Sequence, residues 1–411
     1  VPSDAPLIDA ALADELTTAR RRALWVLSTG QVLSGISFGA TVSLGAVLAA
    51  AVSGDDSLSG LATAAITLGT AITSVPLATL AARRGRRPAL ATGMAVALAG
   101  VGLVIAAVAV VSFALLLTGF ALIGAGQAAN LQSRFAASDL ATDASRGRDL
   151  SIVVWATTVG AVLGPNLVGP GEMLGGWVGM PPMTGPYLFT VLGQAAGIVL
   201  YLAALRPDPL LLAQRALDAR TAAASGIARA DRPVAARYAM LAVVGAHAVM
   251  VSVMAMTPIH LMHHGAALTV VGLTISLHIA GMYVLSPVFG LLTDRWGRLP
   301  TIVLGYALLA ASAALIGVGS DDSTIVTAAL VLLGLGWSGA TVAGAALLTE
   351  ASAESLRTRR QGRNDALMSL LGALGAIAAG GVLGWVGFNG LALFTLPVLV
   401  VVVLLVPLGR R

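Results

Sequence analysis

Two pairs of side chains, each four residues apart, carry the first chemical possibility in this chain. Met250 and Met254 form one pair and His278 and Met282 the other. On helices, that spacing puts each pair on one face, one turn apart. The surrounding apolar segments turn back near Gly265 and Ala266, so Met250 falls at the depth of Met282, and Met254 at the depth of His278. Three thioethers and one imidazole make a soft, uncharged ligand set, which suits Cu(I) and leaves Zn(II) or Mn(II) short of negative charge. With no cysteine in the chain, thiolate chemistry and disulfides are excluded.

The elements that must position these residues are membrane spans. The chain is 57% hydrophobic and 10% charged, against about 25% charged in soluble domains. Apolar runs long enough to cross the bilayer as helix occur at 23–52, 58–82, 88–110, 112–137, 149–170, 185–205, 237–261, 267–292, 299–318, 324–349, 365–386 and 389–408. These Ala/Leu/Val/Gly segments do not alternate as barrel strands do. The expected fold is therefore an all-α integral membrane protein of twelve transmembrane helices. No Asp or Glu is read deep in any of these spans, so a histidine, His247 or His278, is the expected carrier of any coupled proton.

Orientation follows from the 24 basic residues, all arginine, which fall on one side of this span map; the opposite loops carry Asp55, Asp56, Glu172, Asp321 and Asp322. The positive-inside rule then places both termini in the cytoplasm. It also accounts for the +5 net charge without a nucleic-acid partner. Residues 1–19 are mixed and acidic and do not read as a signal peptide.

A hydrophilic stretch, Arg206 to Pro233, separates six spans from six, giving bundles at 1–205 and 237–411 joined by a linker at 206–236. Leu210 to Ala219 in that linker is expected to form an amphipathic helix along the cytoplasmic face. "AARRGRRP" at 81–88 echoes "TDRWGRLP" at 293–300, so the bundles form a pseudo-symmetric repeat, a layout in which substrate binds near mid-membrane. Gly290, Leu292, Asp294, Arg295, Gly297 and Arg298 resemble the cytoplasmic signature of the major facilitator superfamily; in the first half Ala78 and Ala82 replace its Gly and Asp. The resemblance implies alternating access, with Asp294, Arg295, Gly297 and Arg298 as a conformational latch. The MxxxM and HxxxM motifs also resemble the CcoA-type copper importers. That likeness implies uptake of Cu(I) or a small copper complex across a bacterial cytoplasmic membrane, for cytochrome c oxidase assembly, with an intracellular copper acceptor as partner. Copper would be cargo rather than cofactor.

Further coordinating side chains fall in outer segments: His260, Met262, His263 and His264 after the seventh span, and Met173, Met180 and Met183 between the fifth and sixth. Such a rim would gather a scarce ion. The alternative is a proton-coupled small-molecule exporter, because "GAVLGPNLVGPG" in the fifth span resembles the glycine-proline motif of drug antiporters. Enzymatic chemistry has no support: no paired carboxylates, HExxH or nucleotide-cradling loop is present.

Overall fold

A computed structural model describes residues 10–55, 58, 60–142, 144–223, 231–266 and 268–410. Among them the regular structure is helical, and the order of helices follows the apolar runs. The first half contains α1 (Ala10–Ser53), α2 (Gly60–Arg84), α3 (Arg86–Ala109), α4 (Phe113–Asp139), α5 (Arg146–Asn166), α6 (Val168–Trp177) and α7 (Tyr187–Ala204). The linker forms α8 (Pro209–Ala223). The second half contains α9 (Pro233–His263), α10 (Leu268–Tyr283), α11 (Ser286–Arg295), α12 (Arg298–Gly319), α13 (Ser323–Ala351), α14 (Glu354–Phe394) and α15 (Leu396–Leu404). The fifth and eighth spans are each broken into two helices, α5/α6 and α10/α11. The last two spans run together through Gly387, whose φ of 71° turns the chain inside α14. Large apolar side chains such as Leu192, Val199, Val318, Ile377 and Leu404 are exposed. Hydrocarbon solvates such faces, while each helix satisfies its own backbone.

The chain clusters into two compact units: Val1–Thr142 with Val159–Arg232 and Ser352–Asp365, and Asp143–Thr158 with Pro233–Ala351 and Ala366–Arg411. In the first, α2, α3 and α4 meet through small residues. A Cβ on Gly69 would lie 2.6 Å from the Ala121 carbonyl carbon, and one on Gly100 would lie 2.7 Å from the Gly119 oxygen. Phe120, Leu48, Ile66, Val101 and Leu116 fill the space this leaves. In lipid, where apolar burial drives no association, such close backbone approach supplies packing contacts instead. The linker belongs to this unit, because α8 buries Leu210, Leu212 and Ala216, and Asp208 receives the Arg87 N–H at 2.7 Å.

The second unit repeats this construction. A Cβ on Gly305 would meet the Ala340 nitrogen at 2.6 Å, joining α12 to α13, and the Tyr306 hydroxyl donates to the Ala242 carbonyl of α9 at 2.7 Å. The turn before α12 matches the turn before α3: Gly297 has φ 101° and Gly85 φ 94°. Both values lie in the region that disfavours a side chain.

Asp231 ends the linker with a double tie, accepting from Arg360 Nη1 at 2.6 Å and from the Ala353 N–H at 2.9 Å. The Arg360 hydrogen bond, then the Ala353 N–H, hold its carboxyl below the ordinary carboxylate value. A depressed folded-state pKa contributes stability above the unfolded pKa, about 3.9, and loses it as pH falls through the folded value. Thermal melting should therefore show Asp231→Asn destabilising the protein at neutral pH, with the gap to wild type closing only in acid below about pH 4. A gap unchanged across that range would show that the tie contributes no charge-dependent stability.

Candidate functional site

The four residues of the soft-ligand pattern lie in the second unit. Met250, His278 and Met282 are buried, and Met254 is half-buried. α13 packs along both α9 and α10, which touch each other only sparsely. His278 Nδ1 lies 2.7 Å from the Leu330 carbonyl of α13. A carbonyl accepts only, so Nδ1 carries the proton and neutral His278 presents a bare Nε2; that Nε2 is buried with no hydrogen-bond partner. His247 sits one turn before Met250 and accepts from the Trp337 indole N–H at 3.1 Å. Tyr283 meets the same indole edge-on at 5.8 Å.

The outer histidines have separate tasks. His260 is buried, with Nε2 2.7 Å from the Ser320 carbonyl and its ring stacked on Phe388 at 4.3 Å. His264 places Nδ1 2.9 Å from the His260 carbonyl and Nε2 3.4 Å from Asp321. With His263 and Asn389 over a floor of Gly380, Gly384 and Gly387, they line a pocket of about 520 Å³, within the range that takes a small molecule. Met262 is exposed beside it. Among the described residues no group of three His, Asp or Glu is placed to hold a metal ion. Of the loop methionines, Met173 is exposed and Met180 half-buried. Met183 packs against the first unit's core, its N–H held by Glu172 at 3.0 Å.

Sequence reasoning did not join the neutral polar residues of the first unit into a site. Ser34, Ser37, Gln127, Thr190 and Gln194, from α1, α4 and α7, line a cavity of about 10 Å³ with Gly126 and Ile123. Ser37 donates to the Leu33 carbonyl at 2.9 Å and Thr190 to the Ser37 carbonyl at 3.3 Å. Gln194 is 4% exposed, and its Oε1 has no hydrogen-bond partner. The space admits about one water-sized group, so this site recognises an edge of a molecule. Its lining carries no charge.

The charged residues concentrate in two networks. In the second unit, Asp294 accepts from the Gly147 and Arg148 N–H groups at the start of α5, both at 2.9 Å. A carboxylate is favoured there by the unpaired donors and the helix dipole. Arg298 pairs with Glu350 at 3.1 Å, whereas Arg295 is exposed. In the first unit, Arg86 occupies the position matching Arg298 and is fully buried. It reaches Asp139 through Nε at 2.7 Å and Gln361 through Nη2 at 2.6 Å. Arg134 pairs with Asp365 at 2.6 Å. Asp365, the first residue of the eleventh apolar run, lies about three turns after α14 begins at Glu354 and is fully buried.

Apolar helices satisfying their own backbone, two compact helical units and polar groups buried within them define a multi-pass membrane transporter. The chain belongs to the Major Facilitator Superfamily, whose family profile matches residues 27–269 and 239–411. It is 36% identical over 367 residues to an uncharacterised MFS-type transporter of Bacillus subtilis, YddS, covering 85% of this chain and 82% of that one. It is 31% identical over 353 residues to the riboflavin transporter RfnT of Brucella anthropi, covering 85% and 86%. Among solved structures, the human organic anion transporter MFSD10 superposes with a TM-score of 0.77 at 16% identity, over 94% of this chain and 99% of that one. The outward conformation of FucP gives 0.67 at 14% identity, over 94% and 98%. These two show the fold.

Proposed function

We propose that the protein is a secondary transporter of an uncharged, hydrogen-bonding organic solute, carried across the cytoplasmic membrane by alternating access. In this reading both termini are cytoplasmic, residues 1–205 and 237–411 are the moving halves, and 206–236 is the linker. The observation that carries it is the unpartnered Gln194 Oε1 in a neutral cavity. A buried carbonyl oxygen without a donor is costly, and a solute N–H or O–H would relieve that cost. Ser37, Thr190 and Gln127 surround it with further uncharged groups. Riboflavin, cargo of one relative, has the required chemistry in its amide-like ring edge and hydroxylated side chain. Because only an edge fits the cavity, a ring system would sit outside it.

A second reading keeps copper as cargo, in uptake, with Met250, Met254, His278 and Met282 as ligands. What favours it is His278: an Nδ1–H tied to a carbonyl with Nε2 left bare is the arrangement that orients a metal-ligating histidine. His260, His263, His264 and Met262 of the outer pocket, with Met173, Met180 and Met183, would then gather the ion, and His247 or His278 would carry a proton.

Proteoliposomes loaded in parallel with radiolabelled riboflavin or with Cu(I) under reducing conditions separate the two. The first reading expects riboflavin accumulation that falls at least about tenfold in Gln194→Leu, the loss of about one hydrogen bond in a buried site, and is unaffected by His278→Ala. Copper accumulation abolished by His278→Ala and insensitive to Gln194→Leu would replace it with the second.

A further inference from the structure

The pocket beside His260, His263 and His264 belongs wholly to the second unit. α14 reaches it as bare main chain: a Cβ on Gly380, Gly384 or Gly387 would meet nothing within 4 Å. Leu383 and Phe388 border this glycine strip, and the Phe388 ring is stacked on His260 at 4.3 Å. The result is a flat, apolar floor beneath about 520 Å³ of space, far more than a single water or a bare ion fills.

The polar edge of the pocket carries charge of one sign. Segments 251–270, 311–330 and 371–400 supply the lining; they contain no lysine or arginine, and their acidic residues are Asp321 and Asp322. Asp322 is committed to the start of α13, accepting the Thr324 N–H at 2.7 Å. Asp321 is left at the mouth, its side chain 90% exposed. Beside it, His264 Nδ1 lies 2.9 Å from the His260 carbonyl, and a carbonyl accepts only, so Nδ1 carries the proton. Neutral His264 therefore points a bare Nε2 at the carboxylate, 3.4 Å from Oδ1. Two acceptors so placed call for a donor that serves both.

We propose that this pocket binds an organic cation with a flat apolar body, the N–H groups of its ammonium or amidinium end donating to His264 Nε2 and Asp321. Hydrogen bonds to a carboxylate from a charged donor are the strong kind. At the mouth the cationic end keeps part of its hydration, while the body lies on the glycine strip. A mostly apolar cavity with a few placed polar groups is the usual build of a small-molecule site. A neutral molecule would leave the Asp321 charge unanswered, and an anion would be repelled by it. A proton on Nε2 would complete the His264–Asp321 pair without any ligand, so direct binding is the measurement that decides. The site is independent of which cargo is carried.

Isothermal titration calorimetry on the full chain in lipid nanodiscs, with empty nanodiscs as the blank, tests it near neutral pH. The probes share one shape and differ in charge: 2-phenylethylammonium, 2-phenylethanol and phenylacetate. Saturable binding of the ammonium is expected, at least about tenfold tighter than the alcohol, with phenylacetate weaker still. Asp321→Asn should weaken the ammonium at least about tenfold, to the level of the alcohol. Gly384→Leu should abolish binding, since its side chain fills the pocket; the open space around its Cβ leaves the fold intact, which an unchanged melting midpoint verifies. Equal affinity for ammonium and alcohol, ammonium binding indifferent to both substitutions, or no saturable binding at all overturns the proposal. The wild-type comparison of the probes can overturn it even if a variant fails to fold.

Discussion

Asp294→Ala is expected to lower the stability of the second unit by about 2–4 kcal/mol, because it removes two charge-assisted hydrogen bonds and strands their donors. The Gly147 and Arg148 N–H groups are among the first donors of α5 and have no carbonyl one turn back to bond. Asp294 meets both, one with each oxygen, and Arg298 stands 3.7 Å from the same carboxylate. Alanine would leave the helix end and the arginine facing each other without the intervening anion. Asn keeps one acceptor and loses the charge, so the order of melting midpoints should be wild type, then Asn, then Ala. Equal midpoints for wild type and Ala, measured in the same detergent, would show that the contact contributes nothing to folding. Serine in place of Gly290 is not an independent probe of this contact, since a Cβ there would lie 2.7 Å from the Gly147 carbonyl.

A larger loss is expected at Gly69. Leucine there places its first side-chain carbon against the Ala121 carbonyl, 2.6 Å from the carbonyl carbon, and backbone cannot rotate away as a side-chain tip can. Relief requires α2 and α4 to separate, which breaks up the packing around Phe120 and Ile66. Overpacking a side chain costs about 1–3 kcal/mol even where neighbours can yield; here they are main chain, and folded protein recovered from membranes should fall below detection. The matched control is Gly102→Leu on α3, where a Cβ meets nothing within 4 Å. Expression and monodispersity near wild type for both variants would refute the close-packing account.

Much of the fold was readable because hydropathy and Gly/Pro punctuation report directly on membrane helices. The turn near Gly265 follows from such local signals, and the structure has φ 77° at Gly265. Hydropathy finds where a helix turns apolar. It does not find where the helix begins, and the charged first turns of α14 hid Asp365. Arg86, Arg134 and Asp139 read as cytoplasmic-end charges, since nothing local says that an arginine will be covered by neighbouring helices. The neutral cluster around Gln194 was harder still, being assembled from three helices whose members are individually ordinary. The MxxxM and HxxxM motifs were conspicuous through residue type, yet spacing alone does not reveal that His278 turns one nitrogen toward α13.

The tie between Asp208 and the Arg87 N–H matters for how this molecule can be divided. In the second half the carboxylate encoded within the repeated motif, Asp294, caps α5; in the first half Ala82 occupies that place, and the α2–α3 turn is tied by a carboxylate from outside the repeat. Asp208 also caps α8, accepting from the Leu210 N–H at 3.0 Å, so one side chain fastens the connecting segment to the turn it serves. The connector is therefore not interchangeable cord. A chimera joining the front half of this chain to the back half of a relative should carry its own residues through Arg232, and one cut at Leu205 would leave the α2–α3 turn without its anchor.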